Sequence, residues 1–257
     1  MSLSDNISLG HKFRQYFRIG AALDDDLRRA VFSIRHEVYC EDLHFEPEHP
    51  DRLETDPYDA HSLHCLMQRV GSPGDMVGCT RLVLTDPESP FSLLPFEETC
   101  SATINRSIVD PMTMPRGRIA EVSRLAVRRM FRHRKGEDRS SASVRDEDFG
   151  VGEHPRFPYI PIGLYMGAIA LAARSGIDVL FVLTEPRLTS HFARLGVNIR
   201  QIGDPVSHRG TRVPSMLDVQ ETIREMRPTM RPLWREIHRQ IECSYAESSF
   251  LHQSCEE

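Results

Sequence analysis

The chain has 257 residues, long enough to bury a sizeable core without disulfides or metals. Hydrophobic residues make up 40% and charged residues 27%, which excludes wholesale disorder, and a net charge of −5 excludes a general nucleic-acid binder. Only Lys12 and Lys135 are lysines, so 30 of the 32 cationic residues are arginines, the better bidentate partners for carboxylates and phosphates. The six cysteines, Cys40, Cys65, Cys79, Cys100, Cys243 and Cys255, form no C-x-x-C pair and no zinc-finger spacing, so no metal is expected. Scattered cysteines, together with a Met1 to His11 segment that lacks the apolar core of a signal sequence, point to reduced thiols in a cytoplasmic protein. The most apolar helical run, Ile162 to Ala173, is too short to span a bilayer, so membrane contact is expected to be peripheral at most.

In chain order, Gln15 to Ala21 reads as a short strand. Asp24 to Asp26 offer N-cap chemistry for a helix reaching about Tyr39, with an apolar stripe of Leu27, Val31, Ile34 and Val38. Arg35 falls on that stripe, where an arginine needs an acidic partner or a ligand. Residues 41–60 read as a polar loop containing Glu46-Pro47-Glu48-His49-Pro50 and Glu54-Thr-Asp56-Pro57-Tyr58-Asp59. Strands over Ser62–Arg69 and Met76–Leu84 flank a Gly71 to Asp75 turn, a hairpin signal. Pro87 to Pro115 is Pro- and Ser-rich, with a short helix near Phe96. Arg118 to Val127 is the next strand. From Arg116 to Arg139, nine Arg/Lys stand against Glu121, Glu137 and Asp138, a local balance of +6. Residues 137–158 read as a flexible insertion.

Ile160 to Ser175 is a small-residue helix ending at Gly176. A buried strand over Val179 to Thr184, a short helix over Leu188 to Leu195, and strands over Asn198–Ile202 and Thr211–Val219 follow. Pro232 to Tyr245 is the last helix. The order is that of one mixed α/β domain over 1–257, with a core of about 13–225 and a C-terminal helix and tail of about 228–257.

This order, with a basic loop before the central helix, resembles the GNAT acyltransferase fold, which implies a central mixed twisted sheet flanked by helices. In that family a loop of the form V-x-x-x-x-R-x-x-G-x-G/A holds the pantetheine pyrophosphate on backbone N–H groups. Here the segment is Val127-Arg-Arg-Met-Phe-Arg132-His-Arg134-Lys135-Gly136-Glu137, without the second glycine. A sharper resemblance is to the acyl-homoserine-lactone (autoinducer) synthases and the long-chain N-acyl amino acid synthases. It is carried by Arg35, Asp56-Pro-Tyr-Asp59, Arg81-Leu82 and Glu121-Val-Ser123-Arg124, in that order. Three stretches resemble the bacterial acyltransferases associated with the PEP-CTERM/exosortase system. They are Ile34-Arg35-His-Glu-Val38-Tyr39-Cys40, Gly78-Cys-Thr-Arg81-Leu-Val and Ala120-Glu121-Val-Ser-Arg124-Leu-Ala-Val127.

The resemblance implies an N-acyltransferase that moves a long-chain fatty acyl group to the amine of an amino acid or similar small amine. The acyl-phosphopantetheine thioester of acyl carrier protein or of acyl-CoA would be the cosubstrate, with no tightly bound cofactor and no nucleic-acid partner. Acyl carrier protein is the expected donor, and the basic stretch its expected docking surface. Two other readings stay open: a homoserine-lactone synthase using S-adenosylmethionine, and a non-catalytic acyl-binding relative.

Amide formation from a thioester needs a neutral amine, donors for the developing oxyanion, and little help for the thiolate that leaves. Glu121 is the candidate general base, with Ser123 and Arg124 beside it. Alternation puts Glu121 and Ser123 on one strand face and Arg124 on the other, unless a bulge brings Arg124 round. Such a bulge would turn backbone N–H groups near Leu125, Ala126 and Val127 toward the thioester. Arg132, Arg134 and Gly136 would hold the phosphopantetheine. Arg35 with Asp56 or Asp59 is expected to shape the acceptor pocket, leaving Arg81 free to clamp an acceptor carboxylate. The position where GNAT enzymes often place a tyrosine acid is Phe192 here, beside His191.

Overall fold

A computed structural model describes residues 8–72, 74–132, 158–186 and 197–246. The expected insertion up to residue 157, Arg134, Gly136, the expected helix containing His191 and Phe192, and Cys255 lie outside these residues.

Ser8 caps α1 (Leu9–Tyr16), its hydroxyl accepting from His11 N–H. β1 (Phe17–Ala21) follows directly, so the strand expected from Gln15 starts at Phe17. Asp24 caps α2 (Asp25–Arg35) by accepting from Leu27 N–H at 2.8 Å. The helix buries Leu27, Val31, Ile34 and Arg35, the stripe that the spacing predicts. Its expected α-helical continuation to Tyr39 is a π-helical turn, His36–Asp42, an element common at functional sites.

β2 (Ser62–Arg69) and β3 (Met76–Leu84) form the expected hairpin. Next come α3 (Pro95–Thr99), β4 (Ile119–Val127), α4 (Tyr159–Arg174) and β5 (Val179–Thr184). The strand expected over Asn198–Ile202 is shorter, β6 (Arg200–Gln201), and β7 (Val206–Ser207) is additional. β8 (Thr211–Asp218) ends one residue early because Asp218 caps α5 (Val219–Glu225), accepting from Glu221 N–H at 2.7 Å. The last helix is α6 (Arg231–Ala246).

The described strands form one mixed sheet in the order β1-β2-β3-β4-β5-β8-β6, with β7 on β8. Every pair is antiparallel except β4 with β5. One face packs Ile19, Cys65, Met67, Leu82, Val122 and Leu180 against α4 and α6. The other packs Leu66, Cys79 and Ala126 under α2, and Val83 and Phe181 under Phe96 of α3. α4 lies so close to the sheet that a Cβ on Gly167 would meet Cys65 Sγ at 2.5 Å. Two side chains of α6 finish the edge of β1: Gln240 Oε1 accepts from Ile19 N–H at 2.8 Å, and Ser244 Oγ from Ala21 N–H at 3.1 Å. No described helix is long and apolar enough to cross a membrane.

The feature that positions a site lies at the centre of the sheet. β4 and β5 pair only from Ile119/Val179 to Val122/Val182, and then part. The residues of β4 beyond Val122 therefore line a split.

Candidate active site

A bulge sits where the strands part. Cys79 opposes Ala126 and Arg81 opposes Ser123, so Thr80 faces both Arg124 and Leu125. Arg124 takes a left-handed backbone, with φ 51°. This extra residue turns the Arg124 side chain to the face that carries Arg81 and Ser123, as the bulge expectation requires. The π-helical turn braces it: Tyr39 Oη donates to Leu125 O at 2.8 Å, and the Arg124 guanidinium lies 5.7 Å from the centre of the Tyr39 ring. A close approach of β3 helps, since a Cβ on Gly78 would fall 2.5 Å from Ala126 O.

Three guanidiniums and three carboxylates interlock beside the bulge. Arg35 pairs through Nε with Glu54 and through Nη1 with Asp59 Oδ1 at 2.6 Å. Arg81 Nη1 reaches Asp56 Oδ1 at 2.6 Å and Asp59 Oδ1 at 2.8 Å, while its Nε donates to Ser123 Oγ at 3.1 Å. Arg124 reaches Glu54 Oε1 at 3.1 Å and Asp56 Oδ2 at 3.1 Å. The equal count matters, because a buried charge left over would cost several kcal/mol. Burial alone would raise the Asp59 and Glu54 carboxyls, but Arg35 overrides it and holds both below the usual range. Asp56 and Asp59 also serve as turn residues: Asp59 Oδ2 accepts from Asp56 N–H at 2.8 Å, and Asp56 Oδ1 from Tyr58 N–H at 3.0 Å.

Of its two expected partners Arg35 finds Asp59, and it gains Glu54; the expectation for Arg81 changes. Arg81 is not left free: it is 1% exposed, because alternation aims it at the same face as the capped Asp56 turn. Glu54 was missed because an acid in a polar loop reads as solvated. Its backbone N–H donates to Phe32 O at 3.1 Å, which pins the loop on α2.

Glu121 lies on the same face of β4 as Ser123, 5% exposed. Its Oε2 accepts from Phe96 N–H at 2.6 Å. Burial pushes its carboxyl up to about 7, against the pull of that hydrogen bond and of Arg81 and Arg124. A carboxylate with such a value exchanges protons readily near neutral pH. Tyr58, pushed up to about 12 by burial and by a hydrogen bond to Glu98, stays a protonated phenol nearby. The thiols are poor nucleophiles: burial pushes Cys40 and Cys100 up to about 11 and Cys79 to about 12.

Among the phosphopantetheine candidates, Leu125, Ala126 and Val127 are buried along the split, and the Leu125 carbonyl is already taken by Tyr39. Arg132 pairs with Asp42, and Arg128 Nε with Glu37 Oε2 at 2.8 Å. Arg116 and Arg118 pair with Glu97 and Asp178, both at under 3 Å (2.7 and 2.6 Å). Most described cations of the +6 stretch are therefore neutralised inside the molecule, and Arg129 is the exposed one without an acid partner among the described residues.

Residues 34–140 match the family described as an acetyltransferase (GNAT) domain, a span that contains Arg35, Glu54, Asp56, Asp59, Arg81, Glu121 and Arg124. No curated protein matches the chain in sequence. Solved structures do match in fold. TofI in a ternary complex with an inhibitor and MTA is 21% identical, covering 84% of this chain and 95% of that chain, with a TM-score of 0.55. BjaI, a CoA-dependent acyl-homoserine lactone synthase with SAM and isopentyl-CoA, is 20% identical, covering 86% and 89%, with a TM-score of 0.54. FeeM, an N-acyl amino acid synthase from uncultured soil microbes, is 12% identical, covering 84% and 97%, with a TM-score of 0.52. The chain thus has the GNAT fold, and its residues 34–140 match the acetyltransferase (GNAT) family.

Proposed function

We propose that the chain is a cytoplasmic N-acyltransferase that moves a long-chain acyl group from the thioester of acyl carrier protein to the amine of an amino acid or similar small amine. The observation that carries this reading is Glu121, a buried carboxyl pushed up to about 7 at the point where β4 and β5 part. The thioester would lie along the split, with its carbonyl toward the bulge at Leu125 to Val127. Glu121 takes a proton from the attacking ammonium or amine, directly or through a water. The amine nitrogen forms a bond to the carbonyl carbon, the carbon–sulfur bond breaks, and the pair of electrons leaves on the thiolate. Arg35, Asp59 and Arg81 hold the wall of the acceptor side, and Ser123 is oriented by Arg81. Arg134 and Gly136 are assigned to the phosphopantetheine, while Arg132, expected beside them, is held by Asp42. The PEP-CTERM/exosortase association rests on the sequence resemblance around Arg35, Arg81 and Glu121.

A second reading, a homoserine-lactone synthase using S-adenosylmethionine, is favoured by the likeness to TofI and BjaI. Thiol release from lauroyl- or palmitoyl-carrier protein, followed by mass spectrometry of the product, separates the two. A linear acyl amino acid supports the first reading, and a lactone with methylthioadenosine the second. No thiol release from carrier protein or CoA thioesters would leave an acyl-binding protein. Glu121→Gln should slow release roughly 10²-fold with the fold intact; turnover near that of the parent protein would remove Glu121 from the mechanism.

A further inference from the structure

Glu46 joins two elements at the mouth of the split. Its Oε1 pairs with Nη2 of Arg209, on the tip between β7 and β8, and lies 3.6 Å from Nη2 of Arg124 on the β4 bulge. Both arginines hold left-handed backbones, φ 52° and 51°, which a residue with a Cβ adopts only where its surroundings enforce it. The two strained positions bring their guanidiniums to the same carboxylate oxygen. Unlike Arg35 and Arg81, which are sealed, the Arg209 side chain is 25% exposed and that of Glu46 21%. Glu46 is also surplus to the interlocked network, which is balanced without it.

The backbone of Glu46 is fixed while its side chain is not part of the core. Its N–H donates to Tyr39 O at 3.1 Å, and the same tyrosine braces Leu125. The carboxylate can therefore swing out with the loop held in place. The surroundings remain cationic: His208, half-buried beside Arg209, is depressed by burial and then by Arg124 and Arg212.

We propose that Arg124 and Arg209 are the seat of the acceptor's carboxylate, and that Glu46 is its resting occupant, displaced when an amino acid binds. The inference rests on the N-acyltransferase reading and adds the residues that choose an amino acid over a neutral amine. It moves the clamp expected at Arg81, which is 1% exposed, to Arg209 and Arg124, whose side chains are 25% and 14% exposed. Exchanging one carboxylate for another keeps the charge of the seat unchanged throughout, so no guanidinium is stranded. A neutral amine brings no such replacement.

Calorimetric titration of the full chain with the twenty amino acids, and with the carboxamides of those that bind, tests the seat. At least one amino acid should bind tenfold or more tightly than its carboxamide. Glu46→Gln removes the competing charge and keeps the shape, and should tighten that amino acid about tenfold. Arg209→Gln should bring the acid-to-amide ratio near unity, and Arg209→Lys should restore part of it. An unchanged ratio in Arg209→Gln, with an unaltered melting curve, overturns the seat. Unchanged or weaker binding in Glu46→Gln overturns the resting-occupant role. Failure of all twenty amino acids to bind overturns both. The underlying reading fails separately, if no thiol is released with any amine while the seat binds as described.

Discussion

At the residue scale, Glu121 and Arg35 are buried charges held in opposite ways. Glu121 has no guanidinium in contact among the described residues and keeps its proton up to about pH 7. Its folded value is above its unfolded one, so the stability it contributes is complete below about pH 4.5 and is lost as pH rises through about 7. The difference corresponds to about 3 kcal/mol at 1.36 kcal/mol per unit. Denaturation by urea at pH 5 and pH 8 should therefore show the parent protein losing stability that Glu121→Gln retains; identical pH dependence in the two would mean Glu121 is not buried uncharged. In the proposed mechanism ionised Glu121 is the base, so acyl transfer should rise through the same pH range that weakens the fold. Arg35 is the reverse case. Glu54 and Asp59 sit below their usual range, so their contribution is present above the unfolded values and is lost as pH falls below about 4. Arg35→Ala should cost about 3–5 kcal/mol by stranding those two carboxylates. A double-mutant cycle should couple Arg35 more strongly to Asp59 than to Asp56, and the opposite ranking would mean the loop packs differently. Arg35 was legible in the sequence because a charge on an apolar helical stripe is conspicuous. Glu54 was not, because its burial comes from a backbone hydrogen bond to Phe32 that no local pattern encodes.

At the element scale, periodicity carried the reading wherever a segment packs along its whole length. The β2–β3 hairpin, β5 and the small-residue helix α4 fall where the pattern puts them. The π-helical turn does not, since His36 to Asp42 continues the apolar spacing of α2 and only the wider backbone turn brings the Tyr39 hydroxyl to Leu125. The bulge was an expectation from resemblance, and its cause is the β3–β4 register around Thr80. The contact between Glu46 and Arg209 spans 163 residues, beyond any local signal. The edge of β1 offers an element-level test. Its outward Ile19 and Ala21 N–H groups depend on Gln240 and Ser244 of α6, and both side chains are buried. Gln240→Leu leaves a buried donor unpaired and should cost about 1–3 kcal/mol, with Ser244→Ala similar. Hydrogen exchange should speed at Ile19 or Ala21 in the matching variant; unaltered exchange would mean the helix does not seal that edge.

At the scale of the whole molecule, the distribution of charge bears on the donor proposed for the protein. The sequence shows a basic stretch of +6 from Arg116 to Arg139. In the structure Arg116, Arg118, Arg124, Arg128 and Arg132 each spend their charge on an acid of another segment. A run of like charge in sequence is thus partly an internal fastening of the sheet to α3, the loop around Glu54 and the π-helical turn. Arg132→Glu is for that reason a poor probe of docking: the side chain is 6% exposed and would set a carboxylate against Asp42. Arg129 is the better probe, since it is exposed beside Met130, itself 48% exposed, at the end of the split. An acidic carrier protein steered to this end should show transfer that falls as salt rises. Arg129→Glu should raise the KM for acyl carrier protein several-fold while the melting temperature holds, because no internal pair is broken. The KM for acyl-CoA should change less, since a small donor has fewer charges to steer. If acyl-CoA is the better donor, and neither salt nor Arg129→Glu affects transfer from the carrier protein, then the charge at this end serves the fold and the donor is the free coenzyme thioester.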